Sequence, residues 1–182
     1  MGGSSSRANI APAPMMQQQL QNIIPDKYKQ FSELEQALKY AGIESIQMVI
    51  GFDFSKSNEW SGERSYKQSL HGLNYLNPYL HVLNVLEPII PKFDDDGIFP
   101  AFRFGCTLTR DQTVAPLLAP ANTDPHFTGF SQLIQGYKDA VQQTTLSGPT
   151  TFAPMIKQAI EICKAYGGRQ LIFLLLLTDG DV

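Results

Sequence analysis

The stretch IQMVIGFDFSKS, residues 46–57, decides how the rest of the chain is read. Ile46 to Phe54 is a short apolar run, which suits a buried strand, and Asp53 stands at its end. Asp53, Ser55 and Ser57 form the pattern D-x-S-x-S. Alternate residues point the same way while a chain stays extended, so one carboxylate and two hydroxyls can face one point. Taken alone, Asp and Ser at a strand end more often make a turn, because they hydrogen-bond their own backbone. The weight of the pattern therefore depends on what else in the chain converges on that point.

Toward the C-terminus the second marker is LIFLLLLTDG, residues 171–180. Its apolar run from Leu171 to Leu177 is seven residues, far too short to span a bilayer, and suits a strand buried on both faces. Between the two markers, Ser55 to about Asn77 reads as a long polar connection. Pro78 opens a helix with Tyr79, Val82, Leu83, Leu86, Ile89 and Ile90 as its apolar stripe. Pro88 and Pro91 kink or finish it. Asp94, Asp95, Asp96 and Gly97 make a turn; the run lacks the alternating spacing and terminal Glu of an EF-hand loop. Ile98 to Phe104 is a further strand, followed by a Pro-rich irregular stretch to Pro125. A helix then carries Phe127, Phe130, Leu133, Ile134, Tyr137 and Val141 on one face. A loop from Thr144 to Thr150 leads into the last helix, with Phe152, Met155, Ile156, Ala159, Cys163 and Tyr166, closed by Gly167 and Gly168.

On the N-terminal side, Tyr28, Phe31, Leu34, Leu38 and Ala41 recur at helical spacing and Gly42 supplies a stop. Before them Gly, Ser, Ala, Pro and Gln dominate and no apolar period survives, so residues 1–27 read as a disordered tail. Strands alternating with helices predict an α/β fold with a mainly parallel sheet flanked by helices. In such sheets the functional site lies outside the carboxyl ends of the strands, where the strand order reverses. Asp53 with Ser55 and Ser57, Thr150 at the start of a helix, and Asp179 after the last strand all fall near such ends. All five offer oxygen, the donor that hard cations such as Mg²⁺ or Mn²⁺ prefer. Thr150 by itself would more often be a helix N-cap.

At these residues the chain resembles a known family. D-F-S-K-S at 53–57, Thr150 within L-S-G-P-T-T-F-A-P, and T-D-G at 178–180 are similar to the metal-ion-dependent adhesion site of von Willebrand A domains. G-F-D-F-S-K-S-N-E-W, N-P-Y, F-P-A-F-R-F-G and L-S-G-P-T-T-F-A-P resemble the copine domain, and S-N-E-W-S-G-E-R-S-Y with Y-K-Q-F-S-E-L-E-Q-A-L looks most like the copine-type RING ubiquitin ligases. The resemblance implies a von Willebrand A-type, Rossmann-like fold over 28–182. It implies Ser55, Ser57 and Thr150 as direct ligands of the cation, with Asp53 and Asp179 acting mostly through waters. One position would be left for an acidic group on a protein partner. Family domains continue past T-D-G with further strands and helices, so the expectation is a partial domain with Leu171 to Leu177 as an exposed apolar edge. Arg103 stands where the family usually has glycine.

Two function classes follow from the resemblance: a metal-dependent protein-interaction domain, or the substrate-recruiting part of a ubiquitin ligase. A RING needs about eight Cys/His ligands in paired spacings. The chain has two cysteines, Cys106 and Cys163, and three histidines, His71, His81 and His126, so it cannot build one. No triad or phosphate-cradling loop is visible and no catalytic constellation is expected. The net charge of −3 offers no bulk attraction to nucleic acid. Two cysteines in apolar surroundings read as reduced thiols of an intracellular protein. Met1 to Ser6 fits the N-myristoylation pattern at Gly2, against the alternative of a flexible Gly/Ser start. One such chain binds membranes only marginally. The expected location is therefore the cytoplasm, with lipid-assisted contact at the inner face of the plasma membrane, and the nucleus as an open alternative.

Overall fold

The structure, a computed structural model, describes residues 27–41, 46–94, 96–167 and 171–180. The N-terminal tail with Gly2, the helix stop at Gly42, and Asp95, Gly168 and Asp181 lie outside the described residues. The chain divides into two units, with the boundary between Gly42 and Ile43.

In the first unit, α1 spans Phe31–Tyr40. Glu33 in its first turn accepts from the backbone N–H of Lys29 at 2.9 Å and of Gln30 at 3.4 Å. Those groups have no partner within the helix, so the carboxylate holds its start. Glu35 and Lys39, one turn apart, pair at 3.0 Å.

The second unit is built on a sheet of five strands. β1 is Ile46–Asp53 and β2 is Ile98–Phe104. Two short strands, β3 (Ala115–Pro116) and β4 (His126–Thr128), precede β5, Leu171–Leu177. β1 lies between β2 and β5 and is parallel to both, with Asp53 opposite Phe104 and Phe52 opposite Leu177. β3 and β4 run antiparallel to β2. The chain leaves β1 for one side and returns to its other side with β5, so the strand order reverses at β1. The mixed α/β class and mainly parallel sheet agree with the sequence reading.

Every residue of β1 is buried, as a strand covered on both faces requires. Met48, Ile50, Phe52 and Phe54 point to one face, where α3 (Pro78–Leu86) and α4 (Gly129–Gln143) pack. Leu83, Leu133 and Tyr137 are fully enclosed there. Val49 points to the other face and meets Phe102, Phe104 and Met155, the last from α5, Ala153–Ala165. Gly51 lies beneath α5: a Cβ at this position would stand 2.9 Å from Met155 Cγ and 3.0 Å from Leu176 Cδ2. Only glycine lets the helix come this close to the strand. At the start of α3, Asn77 Oδ1 accepts from Leu80 N at 2.8 Å and Pro78 fills the first position, where a missing N–H has no consequence.

Four details differ from the sequence reading. The polar connection after Ser55 contains a helix, α2, over Ser57–Tyr66. Its buried residues are Ser57, Asn58 and Gly62, so it shows no apolar stripe. Phe127, which fits helical spacing with Phe130, lies in β4, ahead of the helix start at Gly129. Thr150 is not at a helix start, because α5 begins at Ala153 with Phe152 as its cap residue. β5 is not buried on both faces: Phe173 is 51% exposed, and only Leu177 is buried. Its hydrogen-bonding edge is used on the β1 side alone among the described residues.

Candidate functional site

Three chain segments meet at the carboxyl ends of β1, β2 and β5. Past Asp53 the chain forms a bridge between Ser55 and Ser147. Phe54 O accepts from Ser147 N at 3.3 Å, and Ser147 O accepts from Lys56 N. These bonds dock the loop 144–150 against the end of β1. The resulting open cleft, about 280 Å³, is lined by Ser55, Lys56, Ser57, Trp60 and the segment from Ser147 to Thr150.

Within it, Ser55 Oγ and Ser57 Oγ stand 2.8 Å apart. Asp53 lies behind them, fully buried, its Oδ1 accepting from Ser55 N at 2.8 Å and its Oδ2 from Thr178 Oγ1 at 2.7 Å. Gly105, just beyond β2, has φ +73°. A Cβ there would sit 2.9 Å from Asp53 Oδ1 and 3.0 Å from both Ser55 N and Thr150 Oγ1. Glycine therefore allows both the left-handed backbone and the approach of Thr150 to Asp53. Asp179, after β5, accepts from Ser61 Oγ at 2.9 Å. Ser61 is one turn beyond Ser57 on α2, so the same helix face carries a cleft hydroxyl and the group that holds Asp179.

The three hydroxyl residues thus line the cleft, while the two carboxylates stand outside its lining. Burial raises the Asp53 pKa; hydrogen bonds from Thr178 and Ser55 oppose the rise, and the nearby charge of Asp179 adds to it. No ion pair joins Asp53 to a basic side chain among the described residues. Thr150 Oγ1 is buried and has no hydrogen-bond partner. Hydroxyls usually cap or bond locally, and an orphan among oxygen donors near the Asp53 carboxylate suits a hard cation. Clusters of three or more His, Cys, Asp or Glu with metal-holding geometry are absent among the described residues, so any cation here must rely on the hydroxyls.

Around this cleft stand supporting residues that spacing in the sequence did not reveal. Asn58 Nδ2 donates to Asp53 O at 3.3 Å and Ser55 O at 3.2 Å, and its Oδ1 accepts from Tyr79 at 2.5 Å. His71 is buried and stacks on Phe54, ring centroids 4.6 Å apart. Its Nε2 is 2.9 Å from Asp53 O and its Nδ1 2.9 Å from Tyr137 Oη. The carbonyl can only accept, so Nε2 carries the proton and Nδ1 accepts from tyrosine. Burial lowers the His71 pKa to about 4, which keeps this neutral tautomer. Thr178 and Ser61 position the two carboxylates; of these only Thr178 adjoins a residue singled out by the sequence pattern. Cys106 is buried and Cys163 half-buried, both unpaired.

Comparison with known proteins supplies the family context. The family model described as Copine matches residues 69–182, a span that includes Thr150 and Asp179 and begins after Ser57. The E3 ubiquitin-protein ligase RGLG5 of Arabidopsis thaliana is 37% identical over 161 residues, covering 87% of this chain and 36% of that protein. The E3 ubiquitin-protein ligase RGLG2 of the same plant is 37% identical over 162 residues, covering 87% and 34%. Copine family protein 2 of Caenorhabditis elegans is 32% identical over 158 residues, 85% of this chain and 2% of that protein. The chain thus spans about a third of the length of the plant relatives.

Proposed function

The chain belongs to the copine family, and from that premise we propose that it is a protein-interaction domain whose contact with its partner is made through a divalent cation, Mg²⁺ or Mn²⁺. The observation that carries this reading is Thr150 Oγ1, a buried hydroxyl without a partner beside Asp53, Ser55 and Ser57. Ser55, Ser57 and Thr150 would hold the ion directly, and Asp53 and Asp179 through waters. When bound, the ion supplies a positive anchor for an acidic side chain of the partner. The residues of the chain do the rest. Thr178 and Ser61 fix the carboxylates, and His71 and Asn58 fix the Asp53 main chain. Trp60, 59% exposed at the rim, offers an aromatic contact beside the anchor.

Differential scanning calorimetry tests the reading. Mg²⁺ or Mn²⁺ is expected to raise the melting temperature, and Asp53→Ala to remove that rise. An equal response in variant and parent would overturn the assignment. A second reading is favoured by the relatives: the domain recruits substrates for a ubiquitin ligase. Its discriminator is the reading frame after Val182. A downstream Cys/His-rich segment with paired spacings supports the ligase, and further strands without it support a plain adaptor. Either role would take place in the cytoplasm, with the nucleus as the alternative, and myristate on Gly2 would add weak, reversible contact with the inner face of the plasma membrane.

A further inference from the structure

Arg103 plays no part in the cleft above, and its surroundings are unusual for a cation. It is only 3% exposed, on β2. One Nη donates to Thr144 Oγ1 at 2.5 Å and the other to the carbonyl of Ala119. Nε is buried with no hydrogen-bond partner. No carboxylate pairs with Arg103 among the described residues. Guanidinium groups carry five N–H donors, so two bonds to neutral oxygens leave most of its capacity and all of its charge unanswered. Thr144 follows the last turn of α4, whose carbonyl end bears only a partial negative charge. Buried charges are normally paired, because loss of hydration penalises an isolated one heavily. Burial accordingly pulls the Arg103 pKa below the ordinary arginine value.

The same side chain lines an open cavity of about 350 Å³, with Thr107, Leu108, Gln143, Thr144 and Thr145 among the other walls. Thr107, Gln143, Thr144 and Thr145 bring hydroxyl and amide groups to the lining, which they share with Cys106, Leu108 and Pro120, and Arg103 is its charged group. The cavity is separate from the cation cleft. Thr144 and Thr145 face it, whereas Ser147 to Thr150 of the same loop face the cleft. Its floor is held by the hydrogen bond from Thr107 N to Thr145 O at 3.1 Å and by the bridge between Cys106 and Leu146.

We propose that this cavity binds a small oxyanion, a phosphate or carboxylate group that supplies the negative charge Arg103 lacks. Planar forks of N–H donors match both groups, and the threonine hydroxyls complete a polar cup around them. The site needs no divalent ion and is independent of the cation reading.

The test uses the purified chain in EDTA, melted in sodium phosphate, sodium acetate and sodium chloride at matched ionic strength. Phosphate or acetate at tens of millimolar is expected to raise the melting temperature above chloride by about 2 °C or more. A rise with phosphate alone assigns a phosphoryl ligand, and a rise with acetate alone assigns a carboxylate. Arg103→Met is expected to lose the difference. Leu108→Glu provides a second variant, because Leu108 is 52% exposed at the cavity and its replacement leaves the core intact. It places a negative charge at the mouth and is expected to abolish the response with an unchanged far-ultraviolet spectrum. Identical melting of the parent in all three salts overturns the proposal. So does an undiminished response in Leu108→Glu, which would mark the effect as that of an adventitious ion only. Should Arg103→Met fail to fold, Leu108→Glu decides alone.

Discussion

Replacing Thr150 by Val keeps the branched shape and removes one oxygen, and the consequence should reverse in sign with the metal. Oγ1 is buried and unpartnered, although the residue as a whole is half-buried. A buried hydroxyl without a partner costs about 1–3 kcal/mol, and the partial exposure of Thr150 argues for the lower end. In EDTA, Thr150→Val is therefore expected to be more stable than the parent by about 1 kcal/mol, or roughly 2–4 °C for a domain of this size. With Mg²⁺ at a hundredfold over its dissociation constant the parent gains about 2.7 kcal/mol. Losing one direct ligand weakens binding at least about tenfold, which removes about 1.4 kcal/mol or more of that gain. The two melting curves should then meet or cross: variant above parent in EDTA, at or below it in Mg²⁺. Scanning calorimetry in both buffers gives the answer. A variant that melts lower than the parent in EDTA and keeps the full Mg²⁺ shift would refute the reasoning. It would show that Oγ1 serves the fold in the ordinary way.

Three further outcomes are expected. Trp60→Ala should leave the Mg²⁺ melting shift intact while weakening an acidic partner peptide by about tenfold or more, since Trp60 is exposed at the rim; unchanged affinity in titration calorimetry would remove Trp60 from the contact. Burial raises the Asp94 carboxyl to about 6 from 3.8, so the folded state disfavours its charge and the contribution to stability falls as pH rises from about 4 through 6. Asp94→Asn keeps the acceptor for Gly97 N and should add about 1–2 kcal/mol at pH 7, a figure discounted for nearby solvent, and flatten that slope; parallel urea-melt profiles from pH 4 to 7 would contradict this. Gly2→Ala should lower the membrane-bound fraction in cell fractionation, and an unchanged fraction would eliminate the lipid.

How much of this was legible in the sequence depended on whether burial was apolar. β5 announces itself as an uninterrupted apolar run, β1 as a mostly apolar one broken by Gln47 and Gly51, and α3 by Pro78 and its stripe. α2 does not, because its buried side is Ser57, Asn58 and Gly62, held by hydrogen bonds that periodicity does not register. β3 and β4 have two and three residues, too few for alternation to be seen. Phe127 mimicked a helical residue for a spatial reason: its ring lies against Gly136 of α4, so it joins that helix's buried face from the strand before it. The seven apolar residues of β5 read the same whether one face is covered or two. At the candidate site, Asp53, Ser55 and Ser57 were marked by their alternation, Thr150 by the helix start expected there, Asp179 by its place after the last strand, and all five by family resemblance. Ser61 and His71 carry no spacing signal because each bonds a residue distant along the chain, and Asn58, next to Ser57, is silent because its amide holds backbone carbonyls that no residue pattern registers.

The placement of groups in the cleft favours anchoring over turnover. Ser55 Oγ and Ser57 Oγ bond each other, and the nearest histidine cannot activate either, since both nitrogens of His71 are engaged with Tyr137 and the Asp53 carbonyl. Asp53, fully buried, spends its oxygens on Ser55 N and Thr178. What faces outward is a set of neutral hydroxyls. A divalent ion held by neutral oxygens in front, with carboxylates only behind, keeps more of its attraction for an incoming anion than one wrapped in carboxylates, because Coulomb energy falls with distance and is weakened by intervening water. On the proposed reading such an ion would attract a partner's carboxylate. Moving one charge from the back row to the front should therefore abolish partner binding while strengthening the metal. Ser57→Asp makes that move, and a variant that held Mg²⁺ more tightly yet still bound the acidic peptide as the parent does would defeat the argument.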